Sequence, residues 1–140
     1  MLPLVIDAIV VIFSLLGNGH SLLVFKLNDI TKKYQMIYPE FILIELGKHA
    51  SEIAQRSKLS IEEATKVMDF VSKQIEFIPA SKFEDKLNEA RQILQEHEKD
   101  VPYVALALAF NCRIFSGDKM LKALVPDMVL TPREVLDGFY

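Results

Sequence analysis

The chain has 140 residues, with 16 Lys and Arg against 19 Asp and Glu, three His and one Cys, for a formal charge of −3. At 51% hydrophobic and 25% charged it has the composition of a folded chain, and its length suits one domain over residues 1–140. The lone Cys112 excludes an internal disulfide and a multi-cysteine zinc site, and the mild acidity excludes a general basic coat for nucleic acid.

Leu2 to Leu16 is almost entirely apolar, but no Lys or Arg precedes it and Asp7 interrupts it. A secretory signal wants a basic start, and a membrane span wants about 20 apolar residues without a central charge. The stretch is therefore read as a buried strand, Leu4-Val5-Ile6, ending at Asp7. A helix follows from Ala8 to Leu16, closed by the turn cluster Gly17-Asn18-Gly19. The expected compartment is the cytoplasm, with no membrane association.

Ser21 to Leu27 reads as a short helix and Gln35 to Tyr38 as a second strand. Pro39 is placed at the start of a long helix running to about Ser57, where its missing N–H costs nothing. Ser60-Ile61-Glu62-Glu63 is a capping box, and Ile61, Ala64, Met68, Val71 and Ile75 recur at helical spacing. Glu76 to Ile78 is a third strand candidate. Ser81-Lys82-Phe83-Glu84 reads as a second capping box, opening a helix with Phe83, Leu87, Ala90 and Leu94 inward and Asp85, Lys86, Glu89, Arg91 and Glu96 in water.

Val101 to Phe110 is helical in length and apolar on every side, which predicts a central buried helix. Arg113 to Phe115 is a short strand, and Ser116-Gly117-Asp118 starts another helix. Val129-Leu130 is a last strand. Thr131, Pro132 and Glu134 combine an N-cap, a first-turn proline and a capping-box acid. This β-α-β-α alternation predicts an α/β fold around a mostly parallel sheet.

Four acids stand apart from the solvated charges. Asp7 and Asp118 follow short apolar strands, where ligands bind in parallel α/β sheets. Asp100 begins the most apolar helix. Glu45 lies within FILIEL, on one helical face with Phe41 and His49. Taken singly, each has a local use: Asp100 and Asp118 as N-caps, Asp7 at a helix terminus, Glu45 paired with Lys48. Gathered together they would repel. Two carboxylates about 5 Å apart at an effective dielectric near 20 repel by roughly 3 kcal/mol, and six such pairs approach ~20 kcal/mol. That upper bound matches or exceeds a whole domain's stability. One or two Mg²⁺ or Mn²⁺ ions would suit an all-oxygen shell. Removing those four charges from the formal −3 leaves +1, no obstacle to a polyanion.

In this order the segments resemble those of the PIN-domain ribonucleases along nearly the whole chain. Leu4 to Asp7 (LVID) is similar to that family's first strand and first acid. Tyr38 to His49 (YPEFILIELGKH) resembles the segment of the second acid, which gives that role to Glu45 rather than Glu40. Asp100 to Ala109 (DVPYVALALA) resembles the third and is the most specific piece. Ile114 to Lys119 (IFSGDK) resembles the fourth, with Ser116 where the family usually has Ser or Thr.

The resemblance implies a three-layer α/β/α sandwich with a five-stranded, mostly parallel sheet and an acidic cleft at the strand ends. It implies hydrolysis of RNA phosphodiesters, with Asp7, Glu45, Asp100 and Asp118 as both catalytic residues and ligands of Mg²⁺ or Mn²⁺. It also implies a homodimer and, for the VapC-type toxins of the family, an antitoxin protein partner. Lys119 and Lys122 are the nearest candidates for phosphate contacts, followed by Lys48 and His49, and Ser116 could orient Asp118 or contact phosphate.

Two departures stand out. Ile9 replaces the usual Asn, Ser or Thr two places after the first acid, and Met120 replaces a frequent extra acid after the fourth. Losing such a supporting polar group can weaken metal binding about 10- to 100-fold. The rival reading is therefore a catalytically degenerate domain that binds RNA or assembles with protein. A phosphohydrolase with a nucleophilic aspartate is disfavoured, because its patterns want further acids beside Asp7 and the chain has Ala8 and Ile9 there. His20, His49 and His97 lack zinc-ligand spacing, and Cys112 reads as packing.

Overall fold

The computed structural model describes residues 1–140 apart from 16–18 and 58; the side chains of Leu15, Glu45, Ala50 and Ala54 also lie outside it. The elements in chain order are β1 (Leu2–Ile6), α1 (Ala8–Leu15), α2 (His20–Thr31), β2 (Tyr34–Pro39), α3 (Leu43–Arg56), α4 (Ile61–Ser72) and β3 (Ile75–Ile78). Then come α5 (Leu87–Leu94), α6 (Val101–Phe110), β4 (Arg113–Phe115), α7 (Lys119–Leu124), β5 (Val129–Leu130) and α8 (Pro132–Asp137). Short 3-10 turns lie at Glu40–Ile42, Ala80–Lys82, Glu84–Lys86 and Glu98–Asp100.

The five strands form one sheet in the order β3-β2-β1-β4-β5, every pair parallel. A parallel sheet is covered on both faces, so its strands must be apolar runs rather than alternating ones. Leu4, Val5, Ile6, Met36, Ile37, Ile114 and Phe115 meet that demand and are all buried. From β1 the chain steps outward through β2 to β3, then returns to β4 on the other side of β1. Right-handed crossovers in opposite directions put their helices on opposite faces. Accordingly α6 lies across β1, β2 and β4 with α5 against it, while α1 packs with α2, α3 and α4, and α2 with α8. The result is the expected α/β/α sandwich.

This topology decides where a site can form. The order reverses at β1, so the connections leaving β1 and β4 diverge and leave a crevice beyond their carboxyl ends. Ile6 pairs with Phe115, so Asp7 and Ser116 emerge side by side at that crevice.

Several expected elements agree closely. The strand Arg113–Phe115, the strand Val129–Leu130 and the helix Val101–Phe110 fall where the sequence puts them, with Val101 and Tyr103 to Ala107 buried. Ser60 and Thr131 both form capping boxes, with Glu63 and Glu134. Cys112 is half-buried against the core, and burial pushes its thiol up to about 11.

Others need correction. Pro39 ends β2, paired with Ile78, and the helix begins only after a 3-10 turn, at Leu43. The helix expected over Ser21 to Leu27 runs from His20 to Thr31. It continues because Asn28, usually a helix breaker, is buried and brackets Tyr34: its Nδ2 donates to the Tyr34 carbonyl and its Oδ1 accepts the Tyr34 N–H. The Ser81 capping box does not form. Phe83 instead drops into the core between two 3-10 turns, and α5 starts at Leu87. Burying a phenyl ring is worth about 2–3 kcal/mol against about 1 for a cap. Ile61 is 88% exposed rather than inward, and Ile75 belongs to β3. Of the turn at Gly17-Asn18-Gly19, Gly17 and Asn18 lie outside the described residues. Among the described residues no helix is long and apolar enough to cross a membrane.

Candidate active site

The carboxyl end of β1 delivers Asp7 into a cavity of about 520 Å³ whose lining includes Asp100, Asp118, Tyr103, Ile9 and His49. Three of the four acids singled out in the sequence thus meet at one opening. The fourth, Glu45, sits on α3, which presents Leu46 and His49 to the same cavity beside Ile42 of the preceding 3-10 turn. The Glu45 side chain lies outside the described residues.

Asp7 is 4% exposed. Its backbone N–H donates to the Phe115 carbonyl, which ties it to the end of β4. Its Oδ1 accepts the Val10 N–H at 3.0 Å, capping the first turn of α1, and its Oδ2 accepts a close hydrogen bond from the Ser116 hydroxyl. Burial pushes this carboxyl up to about 6 against those two donors, with Asp100 and Asp118 adding repulsion. Asp100 is 7% exposed and makes no capping hydrogen bond, although it precedes α6. Burial, then the charge of Asp118, raises its pKa above the ordinary carboxylate value.

Asp118 has two tasks at once. Its Oδ1 accepts the N–H groups of Met120 and Leu121 at 2.9 and 3.3 Å and so caps α7. Its Oδ2 faces Lys99 at 4.0 Å. Ser116 links the two strand-end acids, donating to Asp7 and accepting the Asp118 N–H at 3.0 Å. It therefore orients Asp7 directly, a role the sequence reading had assigned toward Asp118 or phosphate.

The cations fall differently from expectation. Lys122 donates to the carbonyls of Val129 and Pro126 and pairs with Glu134 at 3.0 Å, all on the β5–α8 side. Lys119 is exposed beside Asp118. Among the described residues the lysine that lines the cavity is Lys99, a residue that no sequence signal singles out.

Two tyrosines were also missed. Tyr103 accepts the Ala8 N–H at 3.3 Å and shares a hydrogen bond of 3.2 Å with the Tyr38 hydroxyl. Ala8 follows Asp7, so this phenol holds the backbone on which the first acid stands. Only its place three residues after Asp100, one turn along α6, hinted that it faces the same way. Tyr103→Phe should lower stability by about 1–2 kcal/mol, because a half-buried N–H loses its acceptor. Urea unfolding measures it, and a change below about 0.5 kcal/mol would show that water replaces the phenol.

Hard oxygen donors on one cavity suit Mg²⁺ or Mn²⁺ better than zinc. Two of the three carboxyls carry a burial penalty and mutual repulsion that a cation would relieve. Among the described residues no three His, Cys, Asp or Glu side chains stand close enough together to hold a metal ion between them. That suits an ion such as Mg²⁺, which keeps several waters and binds through one or two carboxylates plus substrate phosphate.

No curated protein matches the chain. A family model described as a PIN domain matches residues 5–126, which include the end of β1, the cavity acids and α7. Its extent agrees with the parallel sheet and the acid-lined crevice, and the chain belongs to the PIN-domain family.

Proposed function

We propose that this protein is a divalent-metal-dependent endoribonuclease that hydrolyses RNA phosphodiester bonds. PIN domains are generally nucleases, and they typically use divalent metal ions. The observation that carries the reading is the meeting of Asp7, Asp100 and Asp118 on one cavity at the reversal of the strand order. Of these three, one or two would hold the cation directly and the rest through its waters, and Glu45 joins them on the resemblance of its segment alone. A cation held there supplies Lewis acidity and charge neutralisation to a phosphodiester. Ser116 keeps the Asp7 carboxylate aimed, Tyr103 fixes the turn beneath it, and Lys99 stands exposed at the mouth where phosphate would enter. The toxin role, the antitoxin partner and the homodimer follow from the resemblance, the cytoplasmic location from the lone cysteine and the absence of a signal-like pattern at Leu2 to Leu16, and all form part of the same proposal.

One observation favours a second reading. Ile9 lines the cavity where the family usually offers a polar side chain, which would suit a non-catalytic RNA- or protein-binding module. Incubating single-stranded and structured RNA with Mn²⁺, Mg²⁺ or EDTA separates the two. Cleavage in either metal that stops in EDTA is the expected result. Intact RNA in every condition, from protein whose melting temperature is unchanged by metal, would establish the module instead.

A further inference from the structure

We propose that Phe13, with Ile9, Gly117 and Pro132, forms a platform on which one base of a single-stranded RNA stacks while the adjoining phosphate faces the acids; this rests on the ribonuclease reading. Ile9, Ile12 and Phe13 lie three and four residues apart and share one face of α1. Ile9 and Ile12 line the acid cavity. Phe13 continues that face by about one turn, ~6 Å, beyond Ile9, and the residue is 46% exposed.

The patch is built from three separate segments. A Cβ at Gly117 would lie 3.7 Å from Phe13 Cε2, 3.9 Å from Pro132 Cγ and 4.0 Å from Ile9 Cγ2. Gly117, having none, leaves that contact position between α1, the turn after β4 and the start of α8 unfilled. Gly117 also separates Ser116 from Asp118, so the ring lies within one residue of the fourth acid.

The surroundings specify the occupant. The shelf is continuous with the acid cavity through Ile9, and exposed Lys99 and Lys119 flank the acid end. An aromatic face beside cations that meet phosphates is how proteins hold single strands without reading sequence, because every base has a π-face. Within a duplex both faces of the base are already covered, so the platform favours unpaired RNA. It gives the apolar Ile9 a use: it joins cavity to shelf.

The test is equilibrium binding of a fluorescein-labelled, unstructured decaribonucleotide and of the same strand made abasic, to the native chain, Phe13→Leu and Phe13→Tyr. Binding is read by anisotropy in EDTA at low salt, and cleavage separately in Mn²⁺. Phe13→Leu should weaken binding of the base-bearing strand about 10-fold, within the ~5- to 100-fold range of one lost stack, leave the abasic strand unchanged and raise KM rather than lower kcat. Phe13→Tyr should bind as the native chain does. Equal affinity of the native chain for the two strands, or of Phe13→Leu and native for the base-bearing strand, overturns the platform. Loss of self-association in Phe13→Leu by sedimentation, with RNA affinity unchanged, would make the shelf an interface between copies and overturn it too. Metal-dependent cleavage indifferent to Phe13 leaves the ribonuclease reading standing without the platform. Base-dependent binding through Phe13 with no cleavage leaves the platform without the nuclease.

Discussion

Asp100→Asn is expected to lower metal-stimulated RNA cleavage by about 10²- to 10⁴-fold while the protein stays folded. The magnitude follows from losing several kcal/mol of charge stabilisation that a correctly held cation gives a phosphodiester in its transition state. Asp100 is the cleanest of the acids to change, because its side chain caps nothing. Asp118 also caps the start of α7, and Asp7→Asn would alter the Ser116 bond. The amide is nearly the shape of the carboxyl, and removing the charge eases the repulsion from Asp118. Thermal stability without metal should therefore hold or rise slightly. Initial rates with Mn²⁺, alongside a melting curve of the same preparation, make the measurement. Unchanged cleavage in a folded variant, or cleavage that EDTA leaves intact, would end the metal mechanism.

What was legible beforehand follows from what local sequence encodes. Apolar runs without alternation named β1, β4, β5 and α6, because burial on all sides leaves only that pattern. Caps were legible where side chain and backbone partner lie three residues apart, as at Ser60 and Thr131. Pro39 was misread because its φ of −66° serves a helix start and a strand end equally; pairing with Ile78 decided it, and that partner is 39 residues away. Periodicity put Ile61 inward, but spacing carries no information on how far the neighbouring layer extends, and Ile61 stands exposed.

The site divided along the same line. Strand-end position found Asp7 and Asp118, and the start of an all-apolar helix found Asp100. Of the groups that hold them, Ser116 was legible but not its partner, and Tyr103 was not legible at all. Ser116 meets Asp7 across 109 residues and Tyr103 meets Ala8 across 95, and no spacing rule reaches that far. The places of Lys99 and Lys122 were hidden for the same reason. The fold turns one toward the cavity and ties the other to β5 and α8.

Asp7→Asn should stabilise the metal-free protein at pH 8 and not at pH 4. Burial raises this carboxyl from the ordinary 3.8 to about 6, so the folded chain holds its proton more tightly than the unfolded chain. Between those values the native state binds more protons than the unfolded one, and stability falls as pH rises. The loss is absent below about pH 3.8 and complete above about pH 6, where it amounts to ~3 kcal/mol. Asparagine cannot ionise, so the variant escapes that loss. It caps α1 as well as aspartate does but places an amide toward Ser116, which offsets about 1 kcal/mol. The net gain near pH 8 is about 2 kcal/mol, or roughly 5–8 °C in melting temperature for a chain of this size. Melting in EDTA across pH 4 to 8 tests it, and parallel curves for the two proteins would show that Asp7 is not strained. Adding Mn²⁺ at pH 8 should raise the native melting temperature and leave the variant's nearly still, since a ligand stabilises only the form that binds it. A buried acid that weakens the empty protein and strengthens the loaded one is a site held ready for a cation. An equal rise in both proteins would put the metal elsewhere.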